Sequence, residues 1–196
     1  LQATLLQRIA QAGRAAAAGK VARITAKMNA LTDVVLIEAL LAAGRKGVQI
    51  DLIVRGACML PAQVPGISDN IRVRSIIGRL LEHSRVFHFV VGEQEHVYLS
   101  SADWMNRNML RRIELAWPVT DPQLRQRVIE ECLQAYLEDE ALSWRMQADG
   151  SYARPAATLA DEHNVQRNLM QRYKAQPKLK KTAKIKTGAS TKKGAS

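Results

Sequence analysis

With 196 residues, 47% of them hydrophobic, the chain has the length for one ordinary domain with its own core and a tail. No apolar run approaches the ~18 residues a bilayer-spanning helix needs, and no signal-peptide pattern opens the chain. Cys58 and Cys132 lack C-x-x-C spacing, so neither a disulfide scaffold nor a zinc site is indicated, and a reducing cytoplasm fits. The formal charge of +11 is unevenly placed, because residues 1–150 hold 18 Lys+Arg against 16 Asp+Glu while residues 151–196 hold 11 against 2.

The kind of cation also divides. Between Gly47 and Tyr173 every basic residue is arginine. A guanidinium makes paired bonds to phosphate oxygens that an ammonium cannot. An Arg-rich genome is the bland explanation, but the tail uses lysine freely.

In chain order, Leu1 to Ala18 has apolar residues at helical spacing and is stopped by Gly19. Val21 to Met28 reads as a strand, and Thr32 or Asp33 caps a helix that runs to Gly47. Val48 to Val54 ends in a continuous apolar run, as a buried strand does. This strand–helix–strand unit has the length of a parallel crossover. Arg55 follows the second strand, at the edge where open α/β sheets place their ligands.

Gly56 to Asn70 is loop-like. Ile71 to Ile77 is a strand, followed by a helical turn near Gly78 to Leu81. Arg85 to Val91 and His96 to Ser101 are strands joined by a polar turn, and Arg112 to Val119 is a further strand. Asp121 and Pro122 start a helix to about Glu140. A further helix is expected within 151–173, and 174–196 is expected to be a disordered, Lys-rich tail with little to bury.

His83, in Leu80-Leu81-Glu82-His83-Ser84-Arg85, has a pKa near working pH and stands just before an apolar strand. There it can hold or pass a proton or accept a phosphoryl group. The bland alternative is a histidine that only bonds the backbone. Fifteen residues later Tyr98-Leu99-Ser100-Ser101-Ala102-Asp103 ends another strand in hydroxyls and a carboxylate. The pair resembles the H-x-K…G-S-x-N pattern of the phospholipase D superfamily, with Arg85 in place of the lysine and Asp103 in place of the asparagine. Asp103 is expected to orient His83. Arg72 and Arg74 alternate along a strand, facing either one groove or solvent. Trp104 and Met105 read as core. His88 and His96 have no metal-ligand neighbours.

Longer strings carry a closer resemblance: LIVRG at 52–56, GISDNIRVRSIIGRLLEHSRVF at 66–87 and VYLSSADWMNRNMLRRIE at 97–114. Together they resemble the C-terminal catalytic domain of bacterial polyphosphate kinase across most of residues 1–145. The resemblance implies an α/β, phospholipase-D-like domain over 1–150, with a mixed, mainly parallel sheet flanked by helices. It implies a four-domain parent that moves the terminal phosphate of ATP reversibly onto inorganic polyphosphate. The carrier is a phosphohistidine in a preceding domain that this chain lacks. The chain opens with Leu1 rather than Met, in keeping with a fragment.

Carried over by motif, Arg55 of VRG and His83 of EHSR meet the ATP phosphates, His83 as the catalytic group. Arg112, before Ile113-Glu114, faces the phosphate channel, with Arg85 and Asp103 in support. Magnesium is implied with ATP, its ligands mostly outside this chain, and no metal site is expected from these residues alone. The implied partners are ATP and ADP, polyphosphate, the enzyme's N-terminal domains and further copies in a homo-oligomer. The implied location is cytoplasmic, with a peripheral place at the inner membrane. Alone, the fragment is expected to be inactive. The rival reading is a polyanion-binding module for nucleic acid, against which stand 5% aromatics and the absence of helix-turn-helix or zinc spacing. A lipid or DNA phosphodiesterase is disfavoured by the missing H-x-K lysine.

Overall fold

The computed structural model describes residues 1–155 and 164–175. Its centre is the crossover read from the sequence: β1 (Ala22–Met28), α2 (Val34–Arg45) and β2 (Gln49–Val54). β1 and β2 pair in parallel with Met28 opposite Val54, and β3 (Ile71–Ile76) joins β2 in parallel on its far side. Asp33 caps α2, accepting from the Leu36 amide at 3.0 Å. Gly47, at φ 96°, turns the chain out of α2 into β2, a conformation open to glycine at no steric cost.

The remaining strands are antiparallel additions. β4 (Arg85–Val91) pairs with β1, β5 (Gln94–Ser100) with β4, and β6 (Ala116–Pro118) with β5. On the other flank β7 (Ser143–Met146) pairs with β3 and β8 (Tyr152–Ala153) with β7. The order across the sheet is β6-β5-β4-β1-β2-β3-β7-β8. The sheet is therefore mixed, as expected, but not mainly parallel. Its parallel pairs are confined to β1–β2–β3, because short turns such as the one joining β4 to β5 can only make antiparallel neighbours.

Alternation along the strands gives the sheet two buried faces. Ile24, Ala26, Leu52, Phe87 and Phe89 pack on one face with Leu5, Ile9, Leu36 and Leu40 of α1 (Gln2–Ala17) and α2. Ile53, Ile76, Val86 and Val97 face the other way. They meet Ile129, Leu133 and Tyr136 from α4 (Pro122–Ile129), a π-helical turn (Glu130–Gln134) and α5 (Ala135–Leu137), and Val165 from α6 (Val165–Ala175).

Three local expectations are corrected. Gly78–Leu81 is a loop rather than a helical turn. The strand expected from Arg112 is only Ala116–Pro118, because Glu114 turns back to bond Ser101 and Asn108 and Ile113 is wholly exposed. A short helix, α3 (Asn106–Leu110), precedes that turn. The tail expected from 174 lies outside the described residues, except that Lys174 and Ala175 end α6.

Candidate functional site

The carboxyl ends of β1 and β2 lie side by side, so the residues after them, Asn29 and Arg55, are neighbours. Their backbones are tied, with the Arg55 amide donating to Met28 O at 3.2 Å and the Gly56 amide to Asn29 O at 2.8 Å. A Cβ at position 56 would stand 3.1 Å from Asn29 O. The glycine of the VRG string thus permits a backbone approach that a side chain would crowd. Ser75 Oγ donates to Arg55 O at 2.8 Å, fixing the same turn from β3.

β4, antiparallel to β1, enters the sheet at this edge with Arg85, and β5 leaves it towards Asp103. Trp104 N donates to Ala30 O at 3.1 Å, and Trp104 O accepts from the amides of Thr32 and Asp33. This stitch sets Asp103 beside Asn29. Trp104 itself is fully buried against Phe87, ring centroids 5.2 Å apart, so its reading as core holds.

The side chains then form one connected row. Arg55 Nε donates to Asn29 Oδ1 at 3.0 Å, and Asn29 Nδ2 to Asp103 Oδ1 at 3.1 Å. Asp103 Oδ1 also accepts from the Asn29 amide at 2.7 Å. Arg85 grips Asp103 as a fork, Nε to Oδ1 at 3.2 Å and Nη2 to Oδ2 at 3.0 Å. Its Nη1 lies 3.1 Å from His83 Nδ1 and donates to His83 O at 3.0 Å. The row runs Arg55–Asn29–Asp103–Arg85–His83, buried at Asn29 and Asp103 and open at His83.

Of the residues singled out in the sequence, Arg55, His83, Arg85 and Asp103 come together. Asp103 does not reach His83; it holds Arg85, and Arg85 touches His83. Arg112 is exposed on the loop between α3 and β6, not at a strand end. That loop nevertheless rises from the same edge, since Ser100 pairs with Ala116 across β5 and β6. Arg72 and Arg74 do not line a groove: Arg72 pairs with Asp51 at 2.8 Å and Arg74 donates to Leu137 O. His88 is buried mid-strand, bonded to Glu95 at 3.0 Å.

Asn29 was missed. It follows β1 as Arg55 follows β2, a correspondence that only the strand register reveals.

Burial pushes the Asp103 carboxyl up, but its bonds to Arg85 and Asn29 outweigh this and hold it below its ordinary value of 3.8. A carboxylate lowered in the folded state adds stability above its unfolded pKa and loses it as pH falls through the folded one. Asp103→Asn should therefore be less stable than wild type at about pH 7, with the gap closing below about pH 4. Urea unfolding at about pH 7 and at a series of values below about pH 4 checks this, and a gap that does not narrow along the acid series counts against it.

The family model described as polyphosphate kinase C-terminal domain 2 matches residues 1–166. A polyphosphate kinase of Neisseria meningitidis serogroup B is 54% identical over 156 residues, 80% of this chain and 23% of that protein. One from Burkholderia multivorans is 55% identical over 142 residues, 72% of this chain and 21% of that protein. The crystal structure of polyphosphate kinase from Porphyromonas gingivalis matches with TM-score 0.81 at 35% identity, covering 89% of this chain and 26% of that one. A phospholipase D family member from Salmonella typhimurium gives TM-score 0.48 at 16% identity. The chain spans less than a quarter of the length of these two curated relatives. With its family model covering residues 1–166 and the same fold in a solved polyphosphate kinase, the chain belongs to the polyphosphate kinase C-terminal domain 2 family.

Proposed function

We propose that this domain supplies one half of a polyphosphate kinase active site, in which Arg55 and His83 meet the phosphates of ATP or of the growing chain. The observation that carries the reading is the row itself. The end of β2 presents an arginine and the loop before β4 a histidine, while buried Asn29 and Asp103 lock the groups behind them. Neither Nη of Arg55 has a protein partner among the described residues. Gly56, Ser75, Ile77, Trp144 and Tyr152 line a cleft beside it of about 350 Å³.

Phosphoryl transfer spreads charge over three oxygens, and fixed cationic donors stabilise that charge without having to reorganise during the reaction. Arg55 offers two such donors. His83 can hold or protonate a leaving phosphate oxygen. In the full enzyme a histidine nitrogen of the preceding domain takes the γ-phosphoryl as the bond to ADP breaks. A terminal polyphosphate oxygen then displaces it, lengthening the chain by one phosphate. Arg112 lies on the same rim as a further phosphate contact, within reach of a chain rather than of the row.

Magnesium accompanies ATP in this reading. Among the described residues no group of three His, Cys, Asp or Glu can hold a metal, and Asp103 is committed to Arg85 and Asn29. No described helix is long and apolar enough to cross a membrane. The proposed setting is the cytoplasm, where ATP is kept.

The direct test is polyphosphate binding by the purified chain at low salt, where phosphate contacts count most. Arg55→Ala should weaken binding about tenfold, as loss of a charge-assisted pair does. Arg14→Ala, which removes the same charge at the last turn of α1 before β1, should change it little. Equal effects of the two would leave only general electrostatic attraction and overturn the site.

A further inference from the structure

The loop that carries His83 is not held by the sheet alone. Gln166, in the first turn of α6 and buried, reads both sides of one loop residue. Its Oε1 accepts from the Leu80 amide at 2.9 Å, and its Nε2 donates to Leu80 O at 2.8 Å. The same Nε2 lies 2.7 Å from Glu82 Oε1. The other oxygen of Glu82 takes a 2.7 Å ion pair from Lys27 of β1, and Lys27 also reaches Ser84 Oγ at 3.0 Å. Lys27 and Glu82 are both buried. Residues 80, 82 and 84 are thus pinned on both flanks of His83 while its ring stays exposed.

Gly78 adds a separate sign that the approach is tight. A Cβ there would stand 2.6 Å from Gln166 Oε1 and 2.7 Å from Leu142 Cδ1. The helix that brings Gln166 is itself anchored: Asp139 accepts from the Val165 amide at 2.7 Å, and Glu131 takes Tyr173 Oη and Arg172. The matched family span ends at residue 166, so α6 lies almost wholly beyond it.

We infer that Gln166, with Glu82 and Lys27, is a positioning device for His83, by which α6 straps the histidine loop to the sheet. The inference rests on the reading of His83 as a phosphate-contacting group. Among the described residues the backbone amide and carbonyl of Leu80 have no strand partner to fix them, so without Gln166 the segment three residues before His83 is free to shift. A shift on the order of 1 Å is enough to cost up to 10²-fold in a reaction that depends on alignment.

The test is made in the full-length enzyme. Gln166→Met keeps length and bulk and removes the bonds. It should lower kcat about tenfold, at a temperature where the variant is fully folded, while KM for ATP changes little, since alignment rather than affinity is lost. The melting temperature should fall by a few degrees, because Leu80 and buried Glu82 lose a partner. Hydrogen exchange at the Leu80 amide should quicken. Gly78→Ala, which drives a methyl into the clamp, should reproduce the kcat loss. Because Gln166 acts through His83, adding Gln166→Met to His83→Ala should produce no further loss. Normal kcat in Gln166→Met beside an impaired His83→Ala overturns the inference alone, as does a fully additive double variant. Normal turnover by His83→Ala overturns the reading of the site and this inference with it.

Discussion

A full-length enzyme carrying Arg55→Ala is expected to move phosphate from ATP to polyphosphate about 10²–10³-fold more slowly than wild type, and His83→Ala to lose as much, the usual cost of one preorganised transition-state contact. The loss is expected in rate because little in the fold depends on either side chain. Arg55 gives a single bond, to Asn29, and water can take its place at a half-exposed position. His83 is exposed and, among the described residues, bonds only Arg85. Melting temperatures close to wild type should therefore accompany the slow rates. Arg55→Lys is expected to fall between wild type and Arg55→Ala, since an ammonium keeps charge but not the planar pair of donors. Steady-state kcat with ATP, magnesium and a polyphosphate primer decides the matter. Wild-type turnover by both folded alanine variants would falsify the assignment.

Arg85→Ala belongs to a different class from these. Its fork holds a buried carboxylate, and removing the partner of a buried charge destabilises strongly. A loss of activity there reports on fold and site together. For that reason Arg55 and His83 carry the test, and Arg85 and Asp103 are read as the frame behind them.

The central unit was legible because its signals were local. β1, α2 and β2 each show their period, and Asp33 and Gly47 mark the ends of the helix. Arg55 could be placed at a sheet edge from that unit alone. The antiparallel flanks were not legible in the same way. β7 and β8 are four and two residues long, too short to show a period, and exist because β3 offers an edge. The row behind the site was half legible. His83, Arg85 and Asp103 fall in one recognisable string pattern, but Asn29 joins them only through the register of β1 on β2. Gln166 was invisible for the same reason, since it lies 86 positions from the Leu80 backbone that it clamps. Arg112 shows the opposite error. Apolar residues at 113, 115 and 117 look like a strand, but Glu114 finds bonding partners in Ser101 and Asn108 and pulls the chain into a turn.

The isolated chain is expected to bind polyphosphate yet neither lengthen it nor form a phosphoenzyme. Transfer through a covalent histidine needs a nucleophile in line with the γ-phosphate, and positioning is a large share of such catalysis. Arg55 and His83 are proposed to receive a phosphate, but no described histidine stands opposite them. His88 is mid-strand and tied to Glu95, and His96 Nε2 is buried without a partner. Burial depresses the pKa of both, and neither lies at the edge where Arg55 lies. His163 lies outside the described residues. The measurement is incubation of the purified chain with ATP, magnesium and a polyphosphate primer, followed by sizing of the product and a search for acid-labile phosphate on the protein. Supplying the preceding domain in trans should restore some transfer if the two halves dock, and that gain should vanish with Arg55→Ala. Chain growth or phosphoenzyme from the isolated domain, lost on His83→Ala, would make His83 the carrier and place the whole reaction within this one domain.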